Sequence, residues 1–342
     1  MATVAPRLSD VAYKAGVSEA TVSRVLNGKP GVSARARESV LSAVDMLGYA
    51  RPAQLRTERV RLIGLILPEL QNPIFPAFAE VVAGALARQG FTPVLCTRTY
   101  GGITEPEYVD LLISQQASGV VFAGGLYAEA HANHDHYARL AERNLPVVLV
   151  NAAVDSLPFA TVACDDDSAA EQAFNHLVSL GHTRIGMVLG PLDHVPSQRK
   201  LSAAKRVASS GRLELTDDRI ARANFSVEGG QAAAGPLMRG GVTGVICASD
   251  PLALGVIQAA RRAGLSVPAD VSVVGYDDSR LMRFTDPALT TIRQPIEAMG
   301  RAVVERIVAQ INGHSEFGGR LLFEPELIVR ASTARAPGEP SA

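Results

Sequence analysis

Five side chains near the amino terminus have types and spacing that suit hydrogen bonding to a nucleic acid. Glu19, Ala20, Thr21, Ser23 and Arg24 combine a carboxylate, a small apolar group, two hydroxyls and a guanidinium. Such groups bond to base edges and phosphates when a helix presents them together. The surrounding segment, residues 8–27, predicts two short helices joined by a glycine turn, the layout of a DNA-reading helix-turn-helix. An ordinary helical hairpin is the alternative interpretation of this pattern.

Several positions in this segment have a physical role in the predicted turn. Gly16 can adopt the positive φ angle that a tight turn between helices requires. Ser18 can cap the second helix, and Val11, Val22 and Leu26 supply apolar contacts between the helices. A third helix is expected from about residue 34 to residue 47, capped by a serine and ended by a glycine. These features predict a three-helix headpiece over residues 1–49.

Charge is distributed unevenly along the 342 residues, although the net charge is −1. Residues 1–61 contain ten Lys and Arg against five Asp and Glu, and the remainder of the chain is acidic. A basic head on an acidic body suits a nucleic-acid-binding head, because phosphate contacts need clustered cations. The stretch 50–59 is polar, basic and contains Pro52, so we expect a hinge there.

The composition excludes several other classes of protein. Cys96, Cys164 and Cys247 are far apart and have no metal or redox spacing, which favours small buried hydrophobes in a reducing compartment. No cofactor-binding motif is present, so no cofactor or metal is expected. No apolar signal region or long apolar run is present either, which predicts a cytoplasmic protein without a membrane partner. The Pro- and Gly-rich tail, residues 336–342, is expected to be disordered.

From residue 60 onward, short β-rich runs alternate with helical stretches. This alternation predicts an α/β fold of parallel sheets covered by helices, with enough strands for two Rossmann-like halves. Ligands in such sheets bind beyond the carboxyl ends of the strands. The runs are Leu62–Leu67, Pro93–Cys96, Val120–Ala123, Val147–Val150, Ile185–Leu189, Val245–Ala248 and Val271–Tyr276.

Together, eight blocks of sequence resemble the LacI/GalR family of transcriptional regulators. They occur in the family's usual order and are spread over essentially the whole chain. The blocks are Gly16–Gly28, Leu47–Tyr49, Ile63–Pro68 with Asn72-Pro73, His182–Gly186, Ala248–Gly255, Asp270–Asp278, Thr290–Pro295 and Leu327–Thr333. The resemblance implies a helix-turn-helix headpiece, a hinge and a two-lobed effector domain like a periplasmic binding protein. It places the effector and dimerisation domain at 60–335, with an N-subdomain at about 60–162 and 293–320 and a C-subdomain at about 163–292 and 321–335.

The resemblance also implies which residues contact DNA. Glu19, Ala20 and Arg24 match base-reading positions, and Thr21, Ser23 and Asn27 match backbone- or base-contacting positions. Arg24 could pair with guanine, while Glu19 could accept a hydrogen bond from cytosine or simply stabilise the helix terminus. Leu55 matches a leucine that wedges into the minor groove in relatives, although the segment before it is shorter than usual. A linker residue packing on the body is the alternative for Leu55. A homodimer would match a pseudo-palindromic operator.

For the effector site, the resemblance implies polar and aromatic residues that follow the strands. Asp250 could be a ligand group, a helix cap or both, and Asp278 is expected to form a turn. The expected effector contacts are Asn72, Phe75, Asn151, Arg199, Lys200, Phe225, Ser249, Asp250 and Asp277. Planar polar groups and an aromatic face suit a small carbohydrate. Stretches such as Pro68–Glu80 resemble actinobacterial maltose/maltodextrin-type repressors, which suggests a malto-oligosaccharide effector.

Two other classes of protein remain as alternatives. A sugar-acting enzyme on the same scaffold would need paired carboxylates, but adjacent aspartates such as Asp277 and Asp278 diverge from one strand end. The histidines of the segment 131–136 suggest a metal site, although their spacing favours a solvated polar helix. A cytoplasmic sugar-binding protein would not need the basic headpiece. The sequence therefore favours a transcriptional regulator. Measurements of DNA binding and of sugar binding would best separate these classes of protein.

Overall fold

The computed structural model describes residues 7–26, 29–47, 49, 61–98, 101–153, 158–314 and 319–338. The chain divides into two units, Met1–Arg61 and Leu62–Ala342. Asn27, Leu55, the whole expected hinge at 50–59 and the last four residues of the expected disordered tail lie outside the described residues. Ala336, the first residue of that tail, donates its N–H to the Leu180 carbonyl oxygen at 2.9 Å.

The described part of the first unit contains three helices, α1 (Leu8–Ala15), α2 (Glu19–Leu26) and α3 (Ala34–Leu47). The prediction of three helices, with a glycine turn after the first, is confirmed, and the glycine expected to end the third helix lies outside the described residues. Gly16 ends α1 with a φ angle of 65°, and Ser18 Oγ accepts a hydrogen bond from the Thr21 N–H at 3.2 Å. Ser33 Oγ caps α3 in the same way, accepting from the Ala36 N–H at 3.2 Å.

The second unit contains alternating strands and helices. Its helices are α4 (Ile74–Arg88), α5 (Glu105–Ser114), α6 (Asp135–Glu142), α7 (Asp166–Ser179), α8 (Val195–Ser210), α9 (Val227–Arg239), α10 (Asp250–Arg262) and α11 (Ile296–Ile311). Its strands are β1 (Leu62–Leu67), β2 (Thr92–Thr97), β3 (Gly119–Phe122), β4 (Val147–Val150), β5 (Ala160–Cys164), β6 (Ile185–Leu189), β7 (Ile220–Arg222), β8 (Gly244–Cys247), β9 (Ser272–Asp277), β10 (Thr290–Arg293), β11 (Arg320–Phe323) and β12 (Glu326–Ile328).

These strands form two six-stranded sheets, one in each lobe of the unit. The N-lobe sheet has the order β11-β5-β4-β3-β1-β2, and all of its pairs are parallel. The C-lobe sheet has the order β12-β10-β9-β8-β6-β7, with an antiparallel β10–β12 pair and parallel pairs elsewhere. Strands such as β1, β4 and β6 are continuous apolar runs because helices cover both faces of a parallel sheet.

The chain passes between the lobes three times, after Cys164, Arg293 and Phe323. The third passage differs from the expected boundary at residue 320. Strand β11 pairs in register with β5, Arg320 opposite Thr161 and Phe323 opposite Cys164, so it lies wholly in the N-lobe. Three passages leave a cleft between the sheets, at the edge where the parallel strands end.

None of the helices that the structure describes is long and apolar enough to cross a membrane.

The contact between α9 and α10 depends on a glycine. An ideal Cβ at Gly255 would lie 2.1 Å from the Val227 carbonyl oxygen and 2.7 Å from the Gln231 N atom. Gly84, in α4, has more room, because its nearest atom would be the end of the Arg88 side chain at 3.6 Å.

We expect Gly255→Ala to lower the free energy of unfolding by about 1–3 kcal/mol, because α9 and α10 must move apart to admit the methyl group. The matched variant Gly84→Ala should be neutral or raise it by up to about 1 kcal/mol, since alanine favours the helix over glycine. Urea unfolding followed by circular dichroism measures both. Equal stability of the two variants would contradict the tight helix contact.

Candidate functional site

The exposed surface of α2 presents the side chains that the sequence assigns to DNA reading. Glu19, Ala20 and Arg24 are exposed, and Thr21 and Ser23 are partly buried. The opposite face, including Val22, Val25 and Leu26, is buried against α1 and α3. The helix therefore has a polar outer face that is held by an apolar inner one, and the DNA-contacting roles of its residues stay predictions.

The second unit contains a cavity of about 530 Å³ between the two lobes, at the carboxyl ends of the parallel strands. Seven of the nine residues predicted as effector contacts line it. They are Asn72, Phe75, Asn151, Lys200, Phe225, Ser249 and Asp277. Arg199 and Asp250 are not among the lining residues. Sequence reasoning also missed Glu69, Arg98, Asp166, His194 and Tyr276, which do line the cavity.

Asp277 joins the two lobes within this cavity. Its Oδ2 atom accepts a hydrogen bond from Asn72 Nδ2 at 2.8 Å, and its Oδ1 atom accepts one from Gln294 Nε2 at 2.7 Å. Asn72 is itself held, because its Oδ1 atom accepts from the Ile74 N–H at 3.2 Å. Burial raises the pKa of the Asp277 carboxyl, while the two amide donors act in the opposite direction. The carboxylate, carried by the C-lobe strand β9, therefore depends on one contact from the N-lobe and one from the second passage.

The backbone at Asp277 is strained. Its φ angle is 120°, and that of the following Asp278 is 55°. A non-glycine residue in this region costs about 1–3 kcal/mol, which the surrounding structure must offset. The hydrogen bonds of Asp278 offset part of this free-energy cost. Its carboxylate accepts from Arg293 Nε at 2.7 Å and from Arg330 Nη2 at 2.6 Å. Asp278, the residue after β9, thus does not form the expected turn, and it anchors two arginines near the interlobe passages.

Asp250 does not line the cavity, but its side chain bonds to the loop that follows Asp277. It is fully buried, and its Oδ1 and Oδ2 atoms accept from Thr291 Oγ1 at 2.7 Å and the Ser279 N–H at 2.8 Å. An ideal Cβ at Gly275 would lie 2.6 Å from Asp250 Oδ1, so this packing needs a glycine. Burial and the nearby Asp277 charge raise the pKa of Asp250. The geometry gives Asp250 a structural position, holding the loop that carries Asp277.

Lys200, rather than Arg199, extends to the cavity. The Lys200 ammonium forms an ion pair with Asp166 Oδ1 and lies 4.1 Å from the centre of the Tyr276 ring. Arg199, one position earlier on α8, has its Nη1 atom 3.9 Å from Asp166 Oδ2. Burial raises the pKa of the Asp166 carboxyl despite the neighbouring cations. Adjacent helix positions point about 100° apart, which explains why only one of them lines the cavity.

Two rings form an aromatic wall. Phe225 and His194 pack edge to face with centroids 4.9 Å apart. An ideal Cβ at Gly190 would lie 2.3 Å from the Phe225 ring, so the glycine makes room for it. Burial, assisted by the charges of Lys200 and Arg222, lowers the pKa of His194 to about 3. The imidazole is therefore neutral near pH 7, and its Nδ1 atom caps α8 by accepting from the Ser197 N–H at 3.3 Å.

Asn151 and Ser249 each have a structural contact as well as a place in the lining. Asn151 has a φ angle of 68°, and its Oδ1 atom accepts from the Cys164 N–H at 3.3 Å. Ser249 Oγ caps α10 by accepting from the Leu252 N–H at 3.4 Å. Asn tolerates the left-handed backbone conformation better than most residues. The Asn151 side chain both bonds to the Cys164 backbone and lines the cavity.

The interpretation of the segment 131–136 as a solvated helix is wrong. Helix α6 begins only at Asp135, so His131 and His134 precede it, and His136, which lies within it, is buried. His136 is 2% exposed, and its Nε2 atom lies 2.8 Å from Glu105 Oε1, which also accepts from the Tyr137 hydroxyl. His134 Nε2 lies 2.9 Å from the Leu126 carbonyl oxygen. Within the described residues, no three His, Cys, Asp or Glu side chains are placed to hold a metal ion. This buried cluster instead supports the Gly125 loop, which lines the cavity.

The lobes also meet away from Asp277. Glu129 of the N-lobe forms an antiparallel bridge with His194, and the Ala130 N–H donates to the Asp193 carbonyl oxygen at 2.9 Å. Together with the Asn72–Asp277 contact, these bonds hold the cleft in a closed arrangement. A two-lobed binding domain of this kind takes a small molecule between its lobes.

Comparison with known proteins agrees with both units. Residues 7–52 match the family described as bacterial regulatory proteins, lacI family, and residues 174–333 match the periplasmic binding protein-like domain. The chain is 51% identical over 342 residues to the HTH-type transcriptional regulator reg1 of Streptomyces lividans, covering 97% of this chain and 98% of that protein. It has the same identity and coverage with the HTH-type transcriptional regulator MalR of Streptomyces coelicolor.

Solved structures show the same architecture. A transcriptional regulator CelR–cellobiose complex matches with a TM-score of 0.72 and 30% identity, covering 96% of this chain and 99% of that one. The lac repressor dimer bound to operator and the anti-inducer ONPF matches with a TM-score of 0.76 and 28% identity, covering 97% and 100%. The fold and site thus define a DNA-binding regulator with a ligand-binding body. The chain belongs to the LacI family of transcriptional regulators.

We expect Lys200→Met to lower the free energy of unfolding by about 3–5 kcal/mol at neutral pH, because Asp166 would keep a buried charge without its ammonium partner. Loss of Lys200 should raise the pKa of Asp166 further above its unfolded value. An acid with a raised folded pKa contributes stability that is present below its unfolded pKa and is lost as pH rises through its folded pKa. Because the unfolded chains titrate alike, the deficit relative to the unsubstituted protein should be smallest at low pH, where Asp166 is protonated in both folded proteins. It should increase as the pH rises through the raised folded pKa of Asp166 in the unsubstituted protein.

Urea unfolding at a series of pH values measures this deficit. Arg199→Met is the matched control, and its longer contact with Asp166 should give a smaller and flatter deficit. A deficit of Lys200→Met that does not change with pH would show that the buried Asp166 charge is not its cause.

Proposed function

We propose that this protein is a repressor of sugar-utilisation genes that binds a pseudo-palindromic operator as a homodimer. A small carbohydrate in the interlobe cavity would switch it, and a malto-oligosaccharide is the best candidate. The carrying observation is that one chain combines an exposed helix-turn-helix face with a closed cavity whose lining comes from both lobes. A sugar-binding protein without DNA function, the alternative from the sequence, would not need the first unit.

The lining suits a sugar ring. The Phe225–His194 wall offers an apolar face, and Asn72, Asn151 and Ser249 offer amide and hydroxyl groups for hydrogen bonds. The names of two relatives point the same way, because one is called MalR and another was solved as a complex with cellobiose.

Switching requires that the ligand prefer one arrangement of the lobes. The Asn72–Asp277 hydrogen bond exists only while the lobes are closed, so closure and this contact are linked. A ligand that binds the closed form about 100-fold more tightly would shift a balanced equilibrium by about 2.7 kcal/mol.

On the DNA side, we propose contacts from Glu19, Ala20, Thr21, Ser23, Arg24 and Asn27, with Leu55 as a wedge in the central minor groove. Two symmetric headpieces double the contacts of one, which supports a dimer on an inverted repeat. We also propose a headpiece at 1–49, a hinge at 50–59 and an effector and dimerisation domain at 60–335.

Arg24→Ala should reduce affinity for the operator by at least tenfold while affecting a scrambled sequence much less. A bidentate contact to guanine accounts for about 1–3 kcal/mol of discrimination, and a dimer would lose two of them. Fluorescence anisotropy with an inverted repeat from the gene's own upstream region measures both affinities.

Arg35→Ala is the matched control, because Arg35 is an exposed cation on α3 of the same unit. It should lower affinity for all sequences about equally, in a salt-dependent way. An unchanged ratio of operator to scrambled affinity in Arg24→Ala would place the reading residue elsewhere. Repeating the measurement with maltose, maltotriose and cellobiose tests the effector, and no response to any of them would refute the carbohydrate switch.

A further inference from the structure

The charged residues that line the cavity are unevenly divided between acids and bases. Within the described residues, four carboxylates line it against two permanent cations, Arg98 and Lys200. The carboxylates are Glu69, Glu129, Asp166 and Asp277. His194 adds no positive charge near pH 7, because burial lowers its pKa to about 3. The lining therefore holds twice as many carboxyl groups as permanent cations. It is net negative while at least three of these carboxyl groups are ionised, and burial raises the pKa of one of them, Asp277, to about 7.

Both cations face carboxylates of the cavity. Lys200 is paired with Asp166 and lies over the Tyr276 ring. Arg98 has its Nη2 atom 3.9 Å from Glu129 Oε1, and its charge also acts on Glu69. An anionic ligand would have to displace one of these carboxylates from its cation, and it would then lie beside the displaced charge.

The carboxylates differ in the hydrogen bonds they already accept. Both oxygens of Asp277 are occupied by the Asn72 and Gln294 amides. Asp166 Oδ2 is buried and has no hydrogen-bond partner within the described residues. Glu69 lies two residues after the end of β1, is only partly buried and has no hydrogen bond to any residue that the structure describes. Burial raises its pKa, as expected for a carboxyl group that lacks donors.

We propose that Glu69 accepts hydrogen bonds from the ligand's hydroxyl groups and makes the cavity select uncharged sugars over phosphorylated ones. This inference rests on the proposed carbohydrate effector. It adds the residue that determines whether the cavity prefers an uncharged or a phosphorylated sugar. A carboxylate with free lone pairs is a strong acceptor for hydroxyl donors. A phosphate group carries a charge of about −1.5 to −2 and offers acceptors instead of donors, so it is repelled at the same place.

Isothermal titration calorimetry with the full-length protein tests the proposal, using maltose and maltose 6′-phosphate as probes. Maltose should bind the unsubstituted protein at least 100-fold more tightly than the phosphate. Glu69→Gln keeps the shape but removes the charge, so it should weaken maltose binding about tenfold. The substitution should also reduce the preference for maltose over its phosphate by at least tenfold, because the charge of Glu69 no longer repels the phosphate.

Glu80→Gln is the matched control, because Glu80 is an exposed carboxylate of the same lobe that does not line the cavity. It should leave both affinities within twofold, whereas an equal effect of the two variants would overturn the role of Glu69. Tighter binding of the phosphate than of maltose by the unsubstituted protein would overturn this inference but leave a carbohydrate effector standing. No binding of maltose, maltotriose or cellobiose would refute the carbohydrate effector, and this inference with it.

Discussion

The carboxylate of Asp277 is the contact on which the closed cavity depends. It accepts one amide hydrogen bond from Asn72 of the N-lobe, 205 residues away in the sequence, and one from Gln294, which lies in the second passage between the lobes. Opening the cleft would remove the Asn72 donor and leave this buried carboxylate short of a hydrogen bond. The strain at its φ angle of 120° persists because these bonds and the Asp278 anchors fix the loop.

The three passages between the lobes are held together close to that contact. Arg293 bonds to Asp278 in the C-lobe and to Glu326 at 3.0 Å, at the start of β12. The Asp165 N–H donates to the Phe323 carbonyl oxygen at 2.9 Å, which ties the first passage to the third. The first and second passages are thus each bonded to the third, which favours turning of the lobes as whole bodies about this region. In the proposed function, a ligand between the sheets would act on the relative position of the lobes.

The local parts of this structure could be predicted from the sequence, and the long-range parts could not. Caps such as Ser18 and apolar runs such as Leu62–Leu67 are determined by neighbouring residues. The short strands β10 to β12 carry weaker patterns and depend on distant partners. The residues that line the cavity follow the same division, since motif matching predicted both Arg199 and Lys200, whereas the direction of the helix brings only Lys200 to the wall. The burial of His136 against Glu105 also needs two segments that are 31 residues apart.

The way the reading face on α2 is built limits how the proposed ligand could act on DNA. This face owes its shape to local caps and a small core, and neither involves a residue of the cavity. In the proposed switch, a ligand would therefore act through the segment that connects the units or through the spacing of two headpieces in a dimer, rather than by reshaping this face. Both routes alter the placement of an intact headpiece, so sequence preference should stay the same while affinity for the paired half-sites changes.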